Sequence, residues 1–107
     1  MAGISTHVLD AALGRPAAGV EVTLTAPDGT AHRGVTDADG RVADLYTGAL
    51  AAGAYTAVFA VGAYHAATGQ ESFYPEITIA FTADPERGHY HVPLLLSPYS
   101  YTTYRGS

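Results

Sequence analysis

Residues 20–26 read Val-Glu-Val-Thr-Leu-Thr-Ala, and the alternation in that stretch restricts the fold more than any other feature of the chain. On an extended backbone Val20, Val22, Leu24 and Ala26 fall on one side and Glu21, Thr23 and Thr25 on the other. A period of two belongs to a strand, whose side chains point alternately to opposite faces. The apolar face must then lie on a core while the polar face meets water. The same period returns in Tyr55, Ala57, Phe59 and Val61, and again in Ile77, Ile79 and Phe81. Leu94 to Leu96 is a continuous apolar run, suited to burial on both sides.

Turn signals punctuate these runs at Gly14-Arg15-Pro16, Pro27-Asp28-Gly29, Asp37-Ala38-Asp39-Gly40, Ala52-Gly53 and Pro85-Glu86-Arg87-Gly88. The pattern predicts about eight strands, at 4–10, 20–26, 31–36, 41–46, 54–61, 76–83, 89–97 and 99–104. Residues 10–16 read as a loop, and only 62–70 suits a short helix, with Gly69 near its end. Many short strands at close spacing imply an all-β, antiparallel β-sandwich, formed by residues 1–107 as a single domain.

Composition narrows the function. A chain of 107 residues buries roughly two-thirds of its unfolded surface. That builds one core but no deep internal pocket, so a binding site is expected at an edge, at a sheet mouth or between subunits. Cysteine is absent, which excludes disulfides and cysteine-based zinc sites. The net charge is −5, and all five basic residues are arginines, so a nucleic-acid partner is not expected. The longest mostly apolar stretch, 49–63, is broken by Gly53, Tyr55, Thr56 and Gly62 and is too short for a bilayer. With no basic-then-apolar leader in view, the expectation is a cytoplasmic protein without a membrane partner.

Several residues carry possible chemistry. His89 and His91 stand two apart in a predicted strand and share a face. Such a pair is open to three readings: ordinary surface polarity, two metal ligands, or a general base with a pKa suited to neutral pH. Pro93 in the same run suggests an edge, a bulge or a distorted strand. His7 shares a face with Ser5 and Leu9, opposite Ile4, Thr6 and Val8. Asp37-Ala38-Asp39-Gly40 lacks the remaining ligands of a calcium loop and reads as a turn. Arg41 opens the strand that follows and can offer a planar fork of donors to a carbonyl-rich ligand. His32 and His65 have no evident partner and are expected at the surface. Residues 101–107, Tyr-Thr-Thr-Tyr-Arg-Gly-Ser, look like part of a working surface rather than polar filler.

Three blocks, Thr6-His7-Val8-Leu9-Asp10, Thr36 to Arg41, and His89-Tyr90-His91-Val92-Pro93 through Tyr104-Arg105-Gly106-Ser107, resemble the 5-hydroxyisourate hydrolases, the enzyme branch of the transthyretin family. The resemblance covers nearly the whole chain. It is most specific in the terminal Tyr-Arg-Gly-Ser joined to His-Tyr-His-Val-Pro, which the hormone-carrying transthyretins lack. It implies a transthyretin-like (prealbumin-like) sandwich of two four-stranded sheets with one short helix. It implies a homotetramer with active sites at the dimer–dimer interface. The implied reaction is hydrolysis of a ring amide in 5-hydroxyisourate, in urate breakdown, without a metal or organic cofactor. The implied catalytic residues are His7, Arg41, His91 and Ser107, with His7, Arg41 and Tyr104 binding substrate. Three other readings compete: a transthyretin-like small-ligand carrier without catalysis, a metallohydrolase using His7, His89 and His91 as ligands, and a purely structural sandwich domain, which the first half fits but the tail does not.

Overall fold

The computed structural model describes residues 3–106. Within them the period-two runs become nine strands: β1 (Gly3–Asp10), β2 (Arg15–Pro16), β3 (Glu21–Thr25), β4 (Ala31–Val35), β5 (Arg41–Thr47), β6 (Gly53–Phe59), β7 (Ile77–Ala83), β8 (His89–Leu96) and β9 (Tyr101–Thr103). One α-helix, α1, spans Val61–Ala67, and a single 3₁₀ turn covers Pro85–Arg87. Each long predicted strand is present, and the helix lies one residue earlier at its start and three shorter at its end than the 62–70 expected. The two-residue β2 lies in the stretch read as a loop. It pairs with the end of β1, Leu9 opposite Pro16 and Asp10 opposite Arg15.

The strands form two sheets. In one the order is β2-β1-β8-β9, with β5 also paired to β1; in the other it is β4-β3-β6-β7. Pairing is antiparallel with one exception among the described residues: β1 and β8 run parallel, in register from Gly3↔His89 to Asp10↔Leu96. The second sheet and the helix lie between β1 and β8 in sequence, so no hairpin dictates their direction. Thr6, buried, donates from its Oγ1 to the Val92 carbonyl at 2.6 Å and fastens the two strands.

Alternation does what the sequence requires. Ile4, Val8, Tyr90, Val92, Leu94 and Leu96 face inward from the first sheet, and Val22, Leu24, Tyr55, Ala57, Phe59, Ile77 and Ile79 meet them from the second. The residues between them on β1 and β8 are left on the outer face, where Ser5, His7 and His91 are half-buried and His89 is exposed. No helix among the described residues is long and apolar enough to cross a membrane.

Helix α1 is clamped by a buried carboxylate. Asp10 Oδ2 accepts from the Tyr64 hydroxyl at 2.6 Å and from Gln70 Nε2 at 2.9 Å, while Oδ1 accepts from the Leu13 amide at 2.9 Å. Burial alone would raise the Asp10 pKa, but these hydrogen bonds to the charged form outweigh it and hold the carboxyl below its ordinary value. The Tyr64 phenol is pushed up to about 12 by burial and by the adjacent carboxylate.

His65 corrects an expectation. It was placed at the surface because it had no visible partner, yet it is 1% exposed. Its position on the helix, next to Tyr64, turns it into the protein. Its Nδ1 lies 3.0 Å from Ser72 Oγ, and that hydroxyl already donates to the Tyr74 carbonyl at 2.7 Å. His65 therefore donates from Nδ1, and its buried Nε2 has no hydrogen-bond partner among the described residues. Burial lowers its pKa. His32 is half-buried, its ring 4.7 Å from that of Tyr46.

Candidate active site

The outer face of the first sheet gathers the histidines and Arg41. Parallel pairing sets Ser5 opposite His91 and His7 opposite Pro93, while antiparallel pairing sets His7 opposite Arg41. Between Ile4 and Thr6 the register of β1 against β5 shifts, an irregularity of the bulge type. Next to it lies an open hollow of about 370 Å³, lined by Ser5, Thr6, Arg41, Ala43, His89 and His91.

Arg41 is held by the turn before it. Asp37 Oδ1 accepts from the amides of Asp39 at 2.9 Å and Arg41 at 3.0 Å, and the Asp37 amide donates to the Arg41 carbonyl at 3.0 Å. Gly40 is required here, because its φ is +76° and its own carbonyl accepts from the Val8 amide at 2.7 Å. A Cβ at this position would stand 2.3 Å from the Val8 carbonyl oxygen. The turn is thus pinned to β1 and delivers Arg41 as the first residue of β5. No carboxylate is within ion-pair distance of Arg41 among the described residues.

His7 is tied to the same turn. Its Nε2 lies 2.9 Å from the Asp39 carbonyl oxygen. A carbonyl can only accept, so Nε2 carries the proton and Nδ1 holds the lone pair when the ring is neutral. His91 and His89 are linked differently: Ser5 Oγ lies 2.8 Å from His91 Nδ1 and 2.8 Å from His89 Nε2. Burial lowers the His91 pKa, and the charges of Arg41, His7 and His89 lower it further. At neutral pH this imidazole is uncharged, as a proton acceptor must be.

The chain's last described residues return to His91. The Gly106 amide donates to the His91 carbonyl at 2.9 Å in an isolated antiparallel bridge. A Cβ on Gly106 would come within 2.6 Å of His91 Cδ2, so only glycine leaves the ring its place. Arg105 places its guanidinium carbon 5.1 Å from the centre of the Tyr90 ring. Tyr104, exposed, lines a second hollow of about 210 Å³ together with Tyr90, His91, Ile79 and Phe81.

Of the residues singled out in the sequence, His7, Arg41 and His91 therefore share one face, with His89 beside them. Tyr104 reaches that group only through His91, which borders both hollows. Ser107 lies outside the described residues. Sequence reading gave no role to Ser5 or Gly106. Alternation already put Ser5 on the face of His7, but its pairing with His91 depends on a long-range register that periodicity does not carry. The three-histidine metal reading does not match this geometry. His7 is turned to Asp39, a hydroxyl sits between His89 and His91, and no group of three His, Asp or Glu among the described residues converges to hold a metal ion.

Fold and site together define a transthyretin-like sandwich with an outer-face histidine–arginine cluster. The family described as HIUase/Transthyretin matches residues 4–106, and the chain belongs to it. It is 43% identical over 115 residues to the 5-hydroxyisourate hydrolase of Caulobacter vibrioides, with all of both chains covered. The structure of Klebsiella pneumoniae 5-hydroxyisourate hydrolase superposes with a TM-score of 0.88 at 40% identity, covering 100% of this chain and 94% of that one. Sea bream transthyretin in complex with thyroxine superposes with a TM-score of 0.88 at 36% identity, covering 96% and 93%.

Proposed function

We propose that this chain hydrolyses 5-hydroxyisourate to 2-oxo-4-hydroxy-4-carboxy-5-ureidoimidazoline. The observation that carries the reading is a half-buried His91, held neutral by burial and by Arg41, on one face with His7. Full-length relatives named for this hydrolysis support it. Family membership alone leaves the carrier reading open, since a thyroxine complex shares the fold. The proton-transfer set favours hydrolysis.

Amide hydrolysis needs an activated water, a stabilised oxyanion and a proton for the leaving nitrogen. His91 takes a proton from water as its oxygen attacks the ring carbonyl. The C=O electron pair moves onto oxygen, and the Arg41 fork of donors stabilises that charge. Collapse restores the carbonyl and breaks the C–N bond, and the leaving nitrogen takes a proton from the protonated imidazole or through His7. Tyr104 completes the substrate contacts, and Ser107 is the remaining residue that this reading assigns to catalysis. The exposed Tyr99, Tyr101 and Tyr104 support burial against further copies of the chain, and the working form in this reading is a homotetramer with sites at its dimer–dimer interface. The same reading puts the reaction in the cytoplasm, with no nucleic-acid or membrane partner.

The test is the decay of freshly generated 5-hydroxyisourate in excess chelator, with and without the purified chain. Strong acceleration is expected. Absence of acceleration, with saturable binding of a small ligand instead, would move the chain to the carriers. Sedimentation at working concentration checks the tetramer.

A further inference from the structure

Ser5 Oγ is within hydrogen-bond distance of two imidazole nitrogens at once, at 2.8 Å each. A hydroxyl has one proton and two lone pairs. It can donate to only one of the two rings, so at least one of the facing nitrogens must carry its own proton. The arrangement therefore links the tautomers of His89 and His91. If His91 Nδ1 donates to Ser5, the Ser5 proton is free to go to His89 Nε2, and His91 Nε2 holds a lone pair. If Ser5 donates to His91 Nδ1, both His91 nitrogens are occupied and the ring cannot accept a proton from water.

We propose that Ser5 is a positioning residue that fixes His91 in its Nδ1–H form, with His89 as the acceptor at the far end of a His91–Ser5–His89 chain. The proposal deepens the hydrolase reading and rests on it for the base role of His91. The base role sets this direction, since only an Nδ1–H leaves His91 Nε2 a lone pair for the proton of water. The exposed His89 can satisfy its remaining nitrogen with water. The His91 ring lies where a Cβ at position 106 would stand, so Gly106 leaves room for this ring position. His7 is on the same face but is committed to the Asp39 carbonyl and cannot substitute for Ser5.

The role separates from bulk packing by choice of variant. Ser5→Ala removes the link without adding volume; Ser5→Thr keeps the hydroxyl and suits a strand. We expect Ser5→Ala to lower kcat about 10- to 100-fold with KM within about twofold, because a base in the wrong tautomer loses transition-state stabilisation and not ground-state binding. Ser5→Thr should recover most of that loss. His89→Ala should also lower kcat, since the Ser5 proton then loses its fixed acceptor and is free to turn to His91 Nδ1. The Ser5→Ala, His89→Ala pair should be no worse than the worse single variant.

The deciding measurement is the ¹⁵N spectrum of ring-labelled histidine at a pH where His91 is neutral. In the wild type His91 should show a protonated Nδ1 and a bare Nε2, and in Ser5→Ala that assignment should reverse or mix. A wild-type His91 protonated at Nε2, or a Ser5→Ala variant unchanged in tautomer and in kcat, overturns the proposal. The spectrum needs no substrate. A Ser5-dependent tautomer in a chain that fails to hydrolyse 5-hydroxyisourate would thus remove the hydrolase reading and leave the tautomer assignment standing.

Discussion

Gly106→Ala adds one methyl group at the point where the chain's end touches His91. Its Cβ would lie 2.6 Å from His91 Cδ2 and 3.2 Å from Cβ and Cγ of the same residue. Ordinary contact begins near 3.4 Å, so ring and methyl must part by about 0.8 Å. The backbone of Gly106 is not in the left-handed region, so no conformational penalty confuses the test. His91 Cβ belongs to β8, which is paired along its length with β1 and yields little, and this leaves two responses. The ring swings away from Ser5 Oγ, or the bridge from the Gly106 amide to the His91 carbonyl opens. Either displaces a reacting group by nearly an ångström, and misplacement of about 1 Å can cost 10²-fold in rate. That is about 2.7 kcal/mol in the barrier. Fold stability should hardly change, because Gly106 is outside the hydrophobic core. The assay is 5-hydroxyisourate decay beside a thermal melt. A variant with a wild-type melt and kcat/KM within about threefold of wild type would refute the claim that this contact sets the His91 ring.

Other perturbations separate chemistry from scaffold. His91→Ala and Arg41→Ala should each lose about 10²- to 10⁴-fold in turnover with the fold retained, and near-normal rates in both would remove the proposed mechanism. Deleting 105–107 should abolish turnover and leave the sandwich folded by circular dichroism; full activity would show that the tail is no part of the site. Asp10→Ala leaves a buried donor on Tyr64 and part-buried donors on Gln70 and Leu13 without their acceptor. Chemical denaturation should show a loss of about 3 kcal/mol, the scale for breaking a buried, charge-assisted network. His65 has a folded pKa below its unfolded value of about 6.5, so the unfolded chain binds the proton more readily. Its contribution to stability is complete above that value and is lost as the pH falls through the folded pKa. The melting temperature should therefore drop from pH 7.5 to 5.5, and less steeply in His65→Gln.

The strands were legible because burial on one face writes itself into alternate residues, as in Val20 to Ala26 and Ile77 to Phe81. The turn before Arg41 was legible for a similar local reason, since Asp and Gly are what that bend demands. Pairing was not. Nothing in the alternation of β1 or β8 says that they lie side by side or run the same way, so the Ser5–His91 contact was out of reach. His65 failed for another reason: on so short a helix, with apolar residues on several sides, no amphipathic stripe announces which residue turns inward. Gly106 belonged to a motif that was visible, but its steric role needs the position of a ring fifteen residues earlier.

The parallel pair β1–β8 also sets an order of events in time. Ser5 and His7 belong to the first strand described and His91 to the last long one, so the cluster cannot exist until contacts across almost the whole sequence have closed. Pairings so remote carry the largest loop-closure cost and form slowly. A half-made chain can pair β3 with β4 and β6 while owning no proton-transfer site at all. Recovery of turnover during refolding would then lag behind recovery of β structure, and activity would report the final closure of the sandwich.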